Sequence, residues 1–492
     1  MNYKTLLYSQ SLSVLTDLYE LTMANGYCKS KKDREESVFH LYFRNNPFQG
    51  GFTIACGLQY LIDFLQNFQF DESDLQYLST LKGNDGQPLF ENEFLKYLRE
   101  LKLECDVDAM AEGTVVFPQE PLLRVQGPIL QCQILESVCL NILNFQSLIA
   151  TKAARICMAA RGEPVIEFGL RRAQGIDGAM AASRAAYIGG CVSTSNVLAG
   201  KMFGIPVAGT HAHSWVMSFD NELESFYAYA KAMPNNCVFL VDTYGTVEGV
   251  KHAVEVGKWL RQQGHRLVGV RLDSGDLAYL SIEARKILDQ AGFSDAVILG
   301  SNDLDERIID SLKEQGARIN VWGVGTKLVT GYDQPALGGV YKLSAIRGKD
   351  GQWKYKLKLS EQTVKVSNPG IQQVRRYFSD EGSIADVIYD IHSDLTNGCT
   401  IIDPLDMTRR KTIPKETQFS DLLVPIFRKG NCVYKSPALE EIRDFAKKNL
   451  APFHFGIKRM LNPHRYPVGL EKSLFDLKTE LILKLRSPGN LS

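Results

Sequence analysis

Between about residues 160 and 330 the sequence repeats one pattern: a short run of Val, Ile and Leu, a polar or glycine-rich break, then an amphipathic stretch of helical period. The runs are Pro164-Val-Ile-Glu-Phe168, Phe203-Gly-Ile-Pro-Val-Ala208, Cys237-Val-Phe-Leu-Val241, Arg266-Leu-Val-Gly-Val-Arg-Leu272, Ala296-Val-Ile-Leu299 and Ile319-Asn-Val-Trp322. Their apolar residues do not alternate with polar ones, so both faces must be covered, as in a parallel sheet flanked by helices. Helical stretches near 180–187, 247–263, 279–290 and up to 314 supply the crossovers of βαβ units.

The flanking segments read differently. Residues 1–145 mix helix (17–23, 54–68), strand (38–43), strands with turns at Pro118 and Pro121 (113–125), and a long apolar helical region beginning at 129. Residues 341–492 are less regular; Trp353-Lys-Tyr-Lys-Leu-Lys-Leu359 alternates apolar and basic side chains and suits a half-exposed edge strand. Three segments are therefore expected: 1–145, 146–340 carrying the βα series, and 341–492.

Composition narrows the class. The 492 residues carry 56 Lys+Arg against 56 Asp+Glu, with 45% hydrophobic residues, which disfavours disorder. Without a basic excess there is nothing to neutralise a phosphate backbone, so no nucleic-acid partner is expected. The ten cysteines are scattered with no CxxC, as in free thiols of a reducing compartment. The start lacks a basic segment followed by an apolar one, and no apolar run reaches the roughly 20 residues of a bilayer span. A soluble cytoplasmic protein is the expectation.

Chemistry concentrates after the strands. In order come Glu167 with Arg171 and Arg172; Thr210 with His211 and His213; Asp242-Thr-Tyr-Gly245; Asp273-Ser-Gly-Asp276; Ser301-Asn302-Asp303; and Gly323-Val-Gly-Thr326. In a parallel α/β barrel all of these lie on the carboxyl rim, where such proteins place their sites. Gly323-Val-Gly-Thr326 offers close backbone N–H groups and a hydroxyl to a phosphate. Arg171 and Arg172 can clamp anionic oxygens, although one of the pair is expected in a structural ion pair. Asp273 and Asp276 can reach ribose hydroxyls or hydrated Mg²⁺, with a helix N-cap as the competing role. Arg271 would point into the mouth and need an anion. His211-Ala-His213 has no third-ligand pattern, so no zinc is expected. An imidazole there can be an acid–base group or a phosphoryl-accepting nucleophile, and the residues alone leave this open.

The ordered motifs Thr16-Asp-Leu-Tyr-Glu-Leu-Thr-Met23, Phe168-Gly-Leu-Arg-Arg-Ala-Gln-Gly175, Ser193-Thr-Ser-Asn-Val-Leu-Ala-Gly200, Gly209-Thr-His-Ala-His-Ser214 and Arg271-Leu-Asp-Ser-Gly-Asp276, with those at Asp242, Ser301 and Gly323, resemble the nicotinate phosphoribosyltransferase family. The likeness runs from about residue 10 to Val468 and includes Lys358-Leu-Ser360, Ser367-Asn-Pro-Gly370 and Asn462-Pro-His-Arg-Tyr-Pro467. It implies a type II phosphoribosyltransferase: an irregular α/β barrel plus a second α+β domain built from both chain ends, assembled as a homodimer. The implied reaction joins nicotinate to phosphoribosyl pyrophosphate, giving nicotinate mononucleotide and pyrophosphate, the entry step of NAD salvage. ATP is the implied co-substrate, acting through a phosphohistidine at His213, with Mg²⁺ as cofactor. The same likeness implies Tyr19 (across the dimer interface), Phe168, Thr210 and Arg271 at nicotinate. Arg171, Asp242, Asp273, Asp276 and Asn302 would surround the phosphoribosyl pyrophosphate and Mg²⁺, tentatively held by Asp273. Gly323, Gly325 and Thr326 would hold the 5′-phosphate, and His211 would stand behind the site.

Amide-using relatives carry an acidic residue in the stretch matching Ser193 to Asn196, where this chain has Ser195, which favours nicotinate over nicotinamide. A quinolinate enzyme would need a larger basic cluster than Arg171, Arg172 and Arg271. A non-catalytic phosphosugar-binding protein would not need a phosphorylatable histidine.

Overall fold

The computed structural model describes residues 12–487, which fall into two compact units. One comprises Leu148–Pro335 with Leu439–Lys447; the other comprises the described residues of Met1–Ser147, Ala336–Ala438 and Lys448–Ser492. A short helical piece near the C-terminus thus belongs with the βα series, a detail that the linear pattern did not carry.

The βα unit contains six strands: β1 Val165–Glu167, β2 Ser193–Thr194, β3 Val238–Leu240, β4 Gly269–Leu272, β5 Val297–Gly300 and β6 Val321–Val324. They form one all-parallel sheet in the order β2-β1-β6-β5-β4-β3. Leu240 of β3, Arg271 of β4 and Leu299 of β5 stand in register, so the carboxyl ends of neighbouring strands come out level. Helices Gly175–Ile188, Thr246–Gln262, Leu277–Gln290 and Glu306–Glu314 follow strands of the series, and their apolar sides are buried. Gly249 makes one close approach possible: a Cβ there would lie 2.1 Å from the Val241 carbonyl oxygen.

One reading of the strands needs correction. Residues 203–208 form no strand; helix Val197–Phe203 runs into them, and only Val207 bridges to Thr194. Pro206 and the neighbouring glycine limit regular pairing there. The strand β2, by contrast, is two residues long and carries no periodicity to read. The sheet therefore curls without closing. At its far edge the backbone N–H of Leu240 donates to His211 Nε2 at 3.2 Å, so a side chain stands where a barrel would have a ladder bond.

The other unit holds two large sheets and a two-stranded one, Thr53–Ile54 against Val115–Val116. Seven strands, Glu36–Phe43 among them, form an antiparallel sheet whose outermost strand is Trp353–Tyr355, with Trp353 and Tyr355 half-buried and Lys354 exposed. Six further strands, from the hairpin Gln372–Ser379 and Gly382–Asp390 to Val468–Glu471, form a mixed sheet. Inside it Arg376 and Asp386 pair while fully buried. The reading of 54–68 as one helix is corrected: Thr53–Ile54 is a strand, and the helix is Leu58–Gln66. One helical stretch, Ile129–Ala159, is long and apolar enough to cross a membrane, contrary to the sequence reading; 61% of its most apolar window is buried in the protein, as in a core helix.

Candidate active site

The strand ends of β1, β2, β4, β5 and β6, with the segment 209–212, line one cavity of about 330 Å³, within the size range of small-molecule sites. Phe168, Arg171, Arg172, Ser195, Thr210, Arg271, Asp273, Asn302, Gly323, Gly325 and Thr326 all face it. Side chains more than 150 positions apart in sequence thus share one mouth, because parallel strands deliver their carboxyl ends to the same side.

Arg271 organises the floor. Its Nε donates to Ser301 Oγ at 2.8 Å, one terminal nitrogen to Thr210 Oγ1 at 3.0 Å, and the other to Asp273 Oδ1 at 2.8 Å. Its guanidinium carbon lies 5.6 Å from the centre of the Phe168 ring, close enough for cation–π attraction. The expectation of a buried arginine waiting for an external anion is corrected: Asp273 already pairs with it. What the fork gains is a fixed plane.

Asp273 is held in turn by the Ser301 hydroxyl at 2.5 Å. Burial pushes its carboxyl up, but the Ser301 hydrogen bond, Arg271 and His213 outweigh that and leave it below the ordinary aspartate range. Its backbone N–H donates to Asp242 Oδ2 at 2.8 Å, and Ser274 Oγ donates to the same oxygen at 2.7 Å. Asp242 Oδ1 is buried and has no hydrogen-bond partner. His213 Nε2 faces this pair, 3.7 Å from Asp273 Oδ2 and 4.0 Å from Asp242 Oδ1. His213 and Asp242 thus stand behind Asp273 and do not themselves line the cavity.

The remaining sequence candidates divide. Asp276 is exposed, and its side chain caps helix Leu277–Gln290 by accepting the Tyr279 N–H at 3.0 Å; it does not line the cavity. Glu167 is a buried hub that accepts from the Gly169 N–H, from Ser183 Oγ at 2.9 Å and from Thr194 Oγ1 at 2.5 Å. It builds the scaffold and offers nothing to a ligand. Arg171 and Arg172 line the mouth exposed, and neither makes an ion pair with a described residue, contrary to the expectation for one of them. Asn302 and Asp303 hold left-handed backbone, φ +86° and +35°, the kind of strain that collects at functional sites. Tyr19 lies in the other unit, exposed on the first turn of helix Leu18–Lys29, and its hydroxyl is pushed up by burial and by Glu136.

The glycine turn is shorter than the motif suggested. Gly323 and Val324 still belong to β6, and the turn begins at Gly325. A Cβ on Gly323 would come within 2.6 Å of the Phe168 ring. Gly323→Ala is therefore expected to displace that ring from beneath Arg271, costing about 1–3 kcal/mol and a several-fold rise in substrate KM. Gly178→Ala, in helix Gly175–Ile188 where nothing lies within 4 Å and away from the cavity lining, is the neutral control; melting curves and initial rates of both check this.

His211 is packed against Phe226, Tyr229 and Phe239. Burial brings its pKa down from 6.5 to about 4. Being neutral when folded, it stabilises fully above pH 6.5, and that contribution is lost as pH falls from 6.5 towards 4. The shift corresponds to about 3 kcal/mol. Urea unfolding of wild type and His211→Asn across that window should show a smaller pH slope in the variant.

An all-parallel, incompletely closed α/β barrel with a cationic, glycine-edged mouth defines the class: a barrel protein with a small-molecule-sized cavity at its carboxyl rim. Comparison with known proteins narrows it. Models of the nicotinate phosphoribosyltransferase N-terminal domain, family and C-terminal domain match residues 14–144, 164–355 and 371–478. The chain is 43% identical over 486 residues to nicotinate phosphoribosyltransferase of Bacillus subtilis, covering 97% of this chain and 96% of that one. It is 34% identical over 527 residues to the Homo sapiens protein of that name, covering 95% and 96%. The crystal structure of human nicotinic acid phosphoribosyltransferase matches with a TM-score of 0.83 at 32% identity, over 95% of this chain and 99% of that one. The nicotinate-nucleotide pyrophosphorylase structure from Pyrococcus furiosus, TM-score 0.69 at 22% identity over 92% and 97%, shows the fold alone. The chain belongs to the nicotinate phosphoribosyltransferase family.

Proposed function

We propose that this chain transfers phosphoribosyl from phosphoribosyl pyrophosphate to nicotinate, with ATP as co-substrate, in NAD salvage in the cytoplasm. The observation that carries this reading is Arg271, fixed by Ser301, Thr210 and Asp273 above Phe168 in a cavity shared with Arg171, Arg172 and Thr326. A carboxylate on a flat ring suits a guanidinium beside an aromatic face, and Ser195 at the wall brings no repelling charge. Phosphate oxygens suit the free forks of Arg171 and Arg172 and the Gly325–Thr326 turn. The pyridine nitrogen attacks the anomeric carbon, the N–C bond forms, and the C–O bond to pyrophosphate breaks. Positive charge developing on the ribose is favoured by the ionised Asp273.

No three His, Cys, Asp or Glu side chains among the described residues gather as a metal site. Mg²⁺ needs no such cage, since it keeps water and takes one or two carboxylates plus substrate phosphates. Asp273, whose carboxylate is partly exposed on the cavity wall, fits that demand, with the unpartnered Asp242 Oδ1 buried behind it. When bound, Mg²⁺ would neutralise phosphate charge on the leaving pyrophosphate. At His213 the γ-phosphoryl of ATP would form an N–P bond as its P–O bond to ADP breaks; hydrolysis of that phosphoimidazole would couple ATP to substrate affinity.

A homodimer completes the reading, with Tyr19 reaching the partner's nicotinate. Two exposed apolar surfaces support it: Val197, Leu198, Met202 and Val207 on the barrel unit, and Leu15, Leu18, Tyr19 and Met23 on the other. Labelled nicotinate with phosphoribosyl pyrophosphate and Mg²⁺, with and without ATP, tests the whole: mononucleotide should form, faster with ATP. No product under either condition rules it out.

A further inference from the structure

Two loops at the carboxyl rim of the βα unit face the same cavity. Asn302 and Asp303 come from the stretch after β5, and Gly325 and Thr326 from the turn that ends β6. Neither loop is well held by its own backbone. Asn302 and Asp303 carry left-handed φ of +86° and +35° without being glycine, a conformation that persists only where its surroundings over-determine it. Thr326 opens a helix of four residues, Thr326–Val329, too short to be stable through its own hydrogen bonds.

What holds them lies just beyond each loop. Asp305 is buried, and its two carboxylate oxygens are divided between two partners. Oδ1 accepts the Ile308 N–H at 2.8 Å and caps helix Glu306–Glu314, while Oδ2 accepts from Lys327 Nζ at 2.8 Å. Lys327 follows Thr326 directly, and its ammonium also stands 5.2 Å from the centre of the Tyr332 ring, within cation–π reach. The next residue, Glu306, is buried against Lys152 and Arg155. The far end of the β5 loop is therefore fixed to the core of the unit, and the Asp305–Lys327 pair carries that fixity across to the β6 turn. Neither residue lines the cavity. With side chains only 7% and 19% exposed, the pair is screened little by water, so it can set a distance that an exposed pair would not hold.

We propose that Asp305 and Lys327 are positioning residues: their ion pair fixes the spacing of Asn302 and Asp303 from Gly325 and Thr326, and with it the fit of the phosphate-bearing end of phosphoribosyl pyrophosphate. The consequence for that substrate rests on the function proposed above; the hold on the two loops does not. Nicotinate should not feel the change. Its proposed partner Arg271 is tied to Ser301, Thr210 and Asp273, and Ser301 is itself held by the Leu272 carbonyl, ahead of the two left-handed residues.

Wild type, Lys327→Met, Lys327→Arg, Asp305→Asn and the double variant Asp305→Asn/Lys327→Met are compared as full-length protein. Hydrogen–deuterium exchange without ligand reads the hold on the loops. Peptides covering 301–305 and 323–329 should exchange at least about threefold faster in Lys327→Met, with β4 and helix Thr246–Gln262 unchanged. Steady-state kinetics read the consequence: KM for phosphoribosyl pyrophosphate should rise about tenfold, with kcat and KM for nicotinate changed less than about threefold. Lys327→Arg keeps the cation and should recover most of the affinity. Asp305→Asn retains a good helix cap and takes the place of Lys327→Met should that chain not fold. The double variant should be no worse than the poorer single one, since both remove the same contact. Unaltered exchange in the two peptides overturns the proposal, as does faster exchange throughout the βα unit with both KM values raised together. Faster exchange confined to the two peptides, with KM for phosphoribosyl pyrophosphate unchanged, upholds the hold on the loops and overturns the placing of the substrate's phosphate between them.

Discussion

Arg271→Leu is expected to lower kcat/KM for nicotinate by about 10²–10³-fold, the scale of removing a preorganised charged donor from a site. Three hydrogen-bond partners lose their donor at once: Ser301, Thr210 and Asp273. The Arg271 side chain is 13% exposed and its partner Asp273 27%, so breaking the pair leaves a mostly buried carboxylate without its cation, at about 3–5 kcal/mol for a fully buried case and less here. Asp273 should then titrate higher, since Arg271 is among the groups that hold it down. Arg271→Lys restores the charge but not the fork, because an ammonium cannot reach Ser301, Thr210 and Asp273 in one plane. It should recover stability more than activity. Steady-state kinetics with nicotinate varied, alongside thermal melts of all three proteins, read this out; a leucine variant within tenfold of wild type would remove Arg271 from the nicotinate site.

His213→Ala should abolish the stimulation by ATP while a slow, ATP-independent transfer persists. The side chain is absent from the lining of the cavity and stands behind Asp273, so its loss leaves the bonds of Arg271 to Ser301, Thr210 and Asp273 in place. The readouts are product formed per ATP hydrolysed and acid-labile label from γ-³²P ATP. Retained coupling would not pass the role to His211. That ring is 8% exposed, enclosed by Phe226, Tyr229 and Phe239, and its Nε2 accepts the Leu240 N–H. A phosphoryl group there would have to replace a bond that closes the edge of the sheet.

Polar residues after buried strands were a sound guide to the mouth, but they mix two duties. The loop after a parallel strand must both end the strand and begin a helix, and helix N-termini call for Asp, Asn or Ser as much as ligands do. Asp276, Asp305 and Asn196 proved to be caps. Arg271, Asp273, Ser301 and Thr326 reach the cavity. Nothing in residue type separates Asp273 from Asp276. Only the backbone direction at the turn does, with Gly275 at φ +78° reversing the chain between them.

What the amino-acid sequence determined was the architecture of the βα series and the identity of the rim, because unalternating apolar runs admit few folds and parallel strands put every loop of one kind on one side. Tertiary structure alone decided which groups act on a ligand and which act on each other. Glu167 reads as a rim acid but is tied to Gly169, Ser183 and Thr194, and His211 reads as one of the polar groups of the rim but serves as the edge partner of an unclosed sheet. Those roles depend on distances between residues remote in sequence, and a hydrogen bond that saturates a side chain leaves no mark on the order of the letters.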